Sequence, residues 1–399
     1  MPLAPKIETP THFNPTSTTG SRIRRFFEVV NVPLIIVLIL LTAYGLLIVH
    51  SATLNTSLFS FNRQVMGVGI GVVLLILLWR LDYRRMGDLL LPLLILDFIL
   101  ILSPLLPFIG VEENGANRWV NLFGQQIQPS ELAKLVTIIA MASLVGRYRG
   151  KIDSGREYLK CLGTLLALFV AIMLQPDLGT GLVFFAVGIA ILFVGGAHWK
   201  WLLITLVALS AAAALVLYID PILDDMMGRD VLLKEYQKNR LLVFMDDTID
   251  PMGIGYNLKQ AKIAIGSGGL MGKGLYNATQ STLGFLPEAP TDFIFCVVAE
   301  ELGFVGCMGL LALFAGLILS SLWVAFRANN PFGNLLVIGC VGMWIFQILE
   351  NIGMTCGLMP ITGIPLPFVS FGSSAMVTNF MAVGIILSVW THREKQKGK

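Results

Sequence analysis

Apolar runs of 16 to 20 residues, nearly free of charge, recur along this chain and limit what it can fold into. A helix rises 1.5 Å per residue, so such a run matches the roughly 30 Å hydrocarbon thickness of a bilayer. A water-soluble core has no need of them. Charged residues make up 13% of the 399, against about 25% in ordinary globular domains. Ten segments can be placed, at about 32–49, 65–80, 88–106, 131–147, 158–174, 178–196, 200–219, 293–326, 333–357 and 374–390. With no water to satisfy exposed backbone, helices are the way to span. The expected fold is an all-α polytopic membrane protein of about ten transmembrane helices.

The connecting charges give the orientation. Arg80, Arg84 and Arg85, then Arg147, Arg149, Lys151, Arg156 and Lys160, then His198 and Lys200, Arg327, and the terminal Arg393, Lys395 and Lys397 all fall on one side, with Arg22, Arg24 and Arg25 ahead of the first span. Cytoplasmic flanks are enriched in Lys and Arg, which puts that side and both termini in the cytoplasm. Residues 1–30, polar and proline-bearing, read as a disordered cytoplasmic tail; 31–391 as one ten-helix membrane domain; 392–399 as a second short tail. The run 32–49 is too long for a signal-peptide core. The five cysteines sit in or beside apolar runs at no metal-like spacing and imply no disulfide.

Three outward connections stand out. Residues 107–130 carry Glu112, Glu113, Arg118 and Trp119. Residues 220–292 form a large extracytoplasmic loop between helices 7 and 8. Residues 358–372 hold Pro360, Pro365 and Pro367 among apolar residues, which suggests a re-entrant element in a protein-lined cavity. The eighth segment, as one helix, would extend about 50 Å and overshoot the bilayer. Its first turns, with Glu300 and Glu301, would then stand at or above the outer interface, and Asp292 at the helix start.

Charge inside a bilayer is costly, so intramembrane charges mark pairs or cavities. Glu131 and Lys134, at i and i+3, can neutralise each other on one helix face. They read either as a structural pair with Ser130 as N-cap or as cavity lining. Gln175-Pro176-Asp177 is a tight break whose residue types suit a turn as well as a site. Asp97 and Glu350, both in mid-span, read as hydrogen-bonding residues facing the bundle. In the long loop, the glycines from Gly266 to Gly274 permit close backbone approach to a ligand, and Lys273 and Arg240 can hold an anion. From residue type alone, Thr291-Asp292 is equally a helix N-cap.

These residues resemble the SEDS family of RodA, FtsW and SpoVE proteins over about 30–392. The motifs are Asn114-Gly115-Ala116 with Arg118-Trp119, Gln128-Pro129-Ser130-Glu131 with Lys134, Gln175-Pro176-Asp177, Ile265-Gly266-Ser267-Gly268-Gly269, Leu286-Pro287-Glu288, Thr291-Asp292-Phe293-Ile294-Phe295 and Glu300-Glu301-Leu302-Gly303. Asn351-Ile352-Gly353-Met354 and the stretch Met359 to Ser370 favour the elongation member over the division member. The chain departs from the family pattern at Pro290, where His is frequent, at Ala278, where Gly is common, and at Ser370-Phe371-Gly372-Ser373-Ser374-Ala375.

The resemblance implies a peptidoglycan glycosyltransferase of the bacterial cytoplasmic membrane that polymerises lipid II. Its implied partners are a class B penicillin-binding protein (a transpeptidase) and other membrane proteins of the elongation complex; nothing points to nucleic acid. The family's essential aspartate falls on Asp292, the expected general base for an inverting attack that releases undecaprenyl pyrophosphate. Arg118, Arg240 and Lys273 are the candidate cations. Glu131, Lys134, Gln175, Asp177, Gln260, Gln280, Glu288, Thr291, Glu300 and Ser370 complete the candidate binding set. No cofactor is firmly implied; a divalent cation (Mg or Mn) at the pyrophosphate is a candidate. A lipid II flippase and a non-catalytic scaffold that activates a transpeptidase are the alternative readings.

Overall fold

The computed structural model describes residues 30–54, 59–113, 116–122, 125–148, 151–227, 233, 235–245, 250, 253–286 and 288–393. The N-terminal tail through residue 29, Asn114-Gly115, Pro287 and the last six residues lie outside the described residues.

Each apolar segment becomes a helix: α1 Val32–Thr53, α2 Phe61–Arg80, α3 Leu90–Leu102, α4 Pro129–Gly146, α5 Gly155–Met173, α6 Leu178–Val194, α7 Trp199–Met227, α11 Ile294–Phe326, α12 Pro331–Thr355 and α13 Ser373–Thr391. Seven are long and apolar enough to cross a membrane, and α3 and α6 are shorter apolar helices. The starts are encoded locally. Asn31 accepts from the Leu34 amide at 3.2 Å, Asn330 from Gly333 at 2.8 Å, and Ser154 with Glu157 forms a capping box. Such side chains satisfy first-turn amides that have no partner within the helix.

Contacts between distant connections reproduce the alternation of ends. At one end Tyr83 donates from its hydroxyl to Asn330 at 3.0 Å, Arg84 donates to the His392 carbonyl at 2.6 Å, and the Ile152 amide donates to the Gly195 carbonyl at 3.1 Å. This is the basic end. At the other, Gln64 bridges the Ser370 carbonyl (3.1 Å) and the Gly372 amide (2.9 Å), and the Gln128 amide donates to Ser374. Helices α4, α12 and α13 form the buried centre, whereas α7 buries only Thr205 and Asp220 among its described side chains. The leucines and isoleucines left exposed on α1, α2, α3 and α7 would be an aggregation hazard in water and suit lipid contact.

Three features depart from a simple bundle. Residues 107–130 fold into an antiparallel meander, β1 Gly110–Glu113, β2 Ala116–Leu122 and β3 Gln125–Ile127, with Val111 opposite Trp119 and Val120 opposite Ile127. The described part of 220–292 is mostly helical: α7 runs on through Pro221 to Met227, followed by α8 Glu235–Met245, α9 Ile254–Gly268 and the single turn α10 Thr279–Thr282. The eighth segment is two helices, because Gly303 breaks α11 at φ 66°, ψ −164°. A Cβ at Gly303 would lie 2.3 Å from the Gly272 nitrogen, so only glycine fits this conformation against that loop. The part of α11 that bears Glu300 and Glu301 is thereby uncoupled from the long span.

Candidate active site

Asp292 sits just ahead of α11, where the chain from α10 meets the irregular stretch 358–372 between α12 and α13. That junction is strapped by backbone-directed hydrogen bonds. Asn351, fully buried on α12, donates from Nδ2 to the Asp292 carbonyl at 2.9 Å and to the Ile364 carbonyl at 2.8 Å. Ser370 donates to the Thr291 carbonyl and accepts from the Leu366 amide, both at 2.7 Å. The Phe371 amide donates to the Pro290 carbonyl at 2.8 Å. Thr291 and Ser370 are therefore joined through the backbone, and Pro290 offers a carbonyl where the family often has a histidine.

The helix-cap reading of Asp292 is excluded: Phe293 takes the N-cap position of α11, with no side-chain cap. Instead the Asp292 carboxylate faces the space above Gly363, whose φ is +76°. A Cβ there would lie 3.0 Å from Asp292 Oδ2 and 3.5 and 3.6 Å from the two terminal nitrogens of Arg240. Acid and guanidinium thus flank one small volume. Arg240, on α8, is oriented by donating Nη1 to the Thr362 carbonyl at 2.7 Å.

Arg118, on β2, donates Nη2 to the Pro176 carbonyl at 2.6 Å and lies 4.0 Å from Asp177. Asp177 caps α6, accepting from the Thr180 amide at 3.2 Å and hydroxyl at 2.8 Å, which is the turn role its residue type suits. Beside it Gln175 is fully buried with neither amide atom partnered among the described residues. The half-buried Asp292 carboxyl is pushed up to about 7, first by desolvation and next by the Glu288 charge, with Arg240 and Arg118 pulling it back. No hydrogen bond reaches this carboxylate among the described residues.

The other candidates lie in two separate groups. Glu300 accepts from Lys273 Nζ, from the amide (3.0 Å) and hydroxyl (2.6 Å) of Thr279, and from the Gln280 amide. Lys273 is thereby tied to Glu300, and both glutamates that were expected at an exposed interface are buried. Glu131 and Lys134 form a buried pair at 2.7 Å; the cap position of α4 belongs to Gln128, and Ser130 lies inside the helix with its hydroxyl unpartnered among the described residues. Gln260 is half-buried on α9 and joins none of these groups through a hydrogen bond.

Sequence reasoning passed over Asn351, Glu350 and Gly363 as site residues. Asp97 and Glu350 do form the expected bundle-facing hydrogen bonds, with Thr137 at 2.7 Å and with Thr362. What the pattern could not show is that Thr362 also carries Arg240. An asparagine and a glutamate adjacent in a long apolar helix were the available signal.

A helical bundle that gathers an aspartate and two arginines at the end opposite its basic loops defines a polytopic membrane protein with a polar site near one surface. The chain belongs to the FtsW/RodA/SpoVE family: the family model described as cell cycle protein matches residues 31–395. It is 35% identical over 365 residues to the peptidoglycan glycosyltransferase MrdB of Escherichia coli K12, covering 90% of this chain and 93% of that protein. Stage V sporulation protein E of Bacillus subtilis is 34% identical, covering 89% and 95%. Among solved structures, one from a peptidoglycan synthase complex that coordinates polymerization and crosslinking aligns with TM-score 0.74 at 31% identity, covering 90% of this chain and 96% of that one. The rod shape determining protein RodA of Thermus thermophilus aligns with TM-score 0.66 at 29% identity, covering 91% and 97%.

Proposed function

We propose that this chain is a peptidoglycan glycosyltransferase that polymerises lipid II during cell-wall elongation. The observation that carries the reading is the Asp292 carboxylate, which accepts no hydrogen bond among the described residues, has its pKa raised to about 7 by burial, and faces Arg240 across Gly363. A general base works best when its pKa lies near the operating pH.

Asp292 takes the proton of the acceptor sugar's 4-hydroxyl. That oxygen forms the new bond to the donor's anomeric carbon as the bond from that carbon to the phosphate oxygen breaks. The electron pair leaves with undecaprenyl pyrophosphate, and attack from the opposite face inverts the centre. Because the leaving group is already stabilised, cations can replace a second acid. Arg240 and Arg118 supply them, as Lys273 is engaged by Glu300. Glu288, whose charge acts on Asp292, and Gln175, next to the Pro176 carbonyl that holds Arg118, are sugar-binding candidates.

Among the described residues no three His, Cys, Asp or Glu side chains converge as metal ligands. A Mg or Mn ion at the pyrophosphate would therefore draw most of its ligands from phosphate oxygens and water, and no step above runs through it. The basic end faces the cytoplasm of the bacterial inner membrane, leaving Asp292 on the outer side, where substrates tethered by lipid tails reach it. A class B penicillin-binding protein is the proposed partner; a solved relative belongs to a complex that joins polymerization to crosslinking.

The test is polymerisation of purified lipid II by the detergent-solubilised chain, with and without its transpeptidase, for wild type and Asp292→Asn. Glycan strands from wild type and none from the variant are expected. Equal strands from both would remove Asp292 as base. No strands under any condition, together with transfer of labelled lipid II across liposomes, would make the chain a flippase.

A further inference from the structure

The irregular stretch 358–372, the hairpin between α12 and α13 that meets Asp292, is held in part by a buried acid whose role the glycosyltransfer step does not use. Glu350, 2% exposed on α12, accepts a hydrogen bond from the hydroxyl of Thr362, itself 6% exposed. The same Thr362 offers its carbonyl to Arg240 Nη1 at 2.7 Å. The next residue, Gly363, is the surface that Asp292 and Arg240 flank. Adjacent to Glu350 on α12, Asn351 fixes the Asp292 and Ile364 carbonyls. One turn of a rigid spanning helix therefore anchors both sides of the reacting volume: Asn351 the acid, Glu350 the arginine.

We propose that Glu350 is a positioning residue for glycosyl transfer, acting through Thr362 to hold Arg240 in place beside Asp292. The proposal rests on the reading of Arg240 as a cation of the active site. Three features support it. A carboxylate buried in a span is costly, and structures retain it where it does specific work. Glu350 engages both the hydroxyl and the backbone of Thr362, and the carbonyl that holds Arg240 belongs to that same residue, so loosening the contact displaces the carbonyl. The hairpin itself has no regular structure between α12 and α13, so helical hydrogen bonds do not set its shape. Misplacing a group by about 1 Å can cost roughly a hundredfold in rate.

The experiment measures lipid II polymerisation by the purified full-length chain for Glu350→Leu, Thr362→Val and Arg240→Ala, singly and combined. Thr362→Val removes the hydroxyl and keeps both the side-chain shape and the carbonyl. Glu350→Leu and Thr362→Val are each expected to lower kcat about tenfold or more, with KM changed less than about threefold. Glu350→Gln and Thr362→Ser, which keep acceptor and donor, should recover most of that loss. The double variant Glu350→Leu/Thr362→Val should be no slower than the worse single one.

The deciding comparison is the Arg240→Ala background, in which Glu350→Leu should cause no further loss, because its effect passes through the arginine. If the losses multiply there while Arg240→Ala alone is impaired, Glu350 acts as general scaffolding and the proposal fails, although the active-site reading survives. If Arg240→Ala keeps wild-type kcat, that reading of Arg240 fails and the proposal falls with it. Wild-type rates for Thr362→Val would also overturn it, and since this substitution keeps the residue's shape, that result stands even if Glu350→Leu does not fold.

Discussion

Asp292 and Glu300 stand little more than two helical turns apart in sequence and meet opposite environments. Glu300 is saturated: an ammonium, a hydroxyl and two backbone amides converge on its carboxylate, and it is 1% exposed. Asp292 keeps its lone pairs open, with a desolvated carboxyl raised toward 7 and Arg240 across a small gap. Hydrogen bonds to the charged form stabilise a carboxylate and spend its basicity on structure. An unsaturated one can still take a proton. The difference separates a residue that holds the loop 272–280 in place from one fitted for chemistry, although either could pass for an interfacial acid in the sequence.

The largest effect that would break this comparison is in Asp292→Asn. General-base catalysis contributes about 10²–10⁴ in rate, and the variant should lose that much polymerisation while remaining folded in detergent. Glu300→Gln should not approach it. A comparable loss of kcat in both variants, at equal thermal stability, would erase the distinction.

Gly363→Ala should come next. The added methyl would stand 3.0 Å from Asp292 Oδ2, in a backbone conformation at φ +76° that disfavours any Cβ. It enters the volume that the proposed mechanism assigns to the acceptor oxygen, so a fall of roughly 10- to 100-fold in polymerisation is expected. Gly266→Ala serves as control, because a Cβ there meets open space. If both changes are tolerated alike, the reacting volume is not above Gly363.

Much of the bundle could be read from hydropathy, and little of the site could. Each span is a local property, a run of residues long enough to satisfy its own backbone in lipid. Nine of the ten segments accordingly reappear within about four residues of their ends, while α7 runs past its expected end at 219 to Met227. The sheet at 110–127 escaped because its strands are short and interrupted by glycine and charge. The helices α8 and α9 escaped because the Gly- and charge-rich stretch around them reads as loop. The break at Gly303 is dictated by the approach of Gly272, a contact that no periodicity reveals. Asp292 was identified through a motif resemblance, not through its spacing. Arg240 had only its charge to recommend it, and its partner Thr362 lies on the far hairpin.

The pH dependence sharpens the comparison further. A general base must be deprotonated, so activity should be present above its pKa and fall as pH drops through it. With Asp292 at about 7 in the ligand-free protein, the acidic limb of kcat/KM should lie near pH 7. Arg240 lowers that value, so Arg240→Gln should move the limb to higher pH; Glu288 raises it, so Glu288→Gln should move the limb lower. Shifts in the same direction for both would mean that the limb belongs to another group.

The smallest effect on chemistry is expected where hydrogen bonding is densest. Glu300→Gln sets an amide NH₂ against the Gln280 amide, itself a donor, so the contact at Oε2 is lost while those gathered on Oε1 can persist. Leaving a buried polar group unsatisfied costs about 1–3 kcal/mol, which thermal unfolding in detergent would register. Lys273→Met should cost less, because Thr279 and the Gln280 amide still reach the carboxylate and Lys273 is partly exposed. In both variants kcat should change by less than about threefold and the acidic limb should stay in place, since Glu300 does not figure among the charges acting on Asp292. A displaced limb in Glu300→Gln at unchanged stability would show that the two carboxylates titrate as one system, and that the saturated acid takes part in the chemistry of the open one.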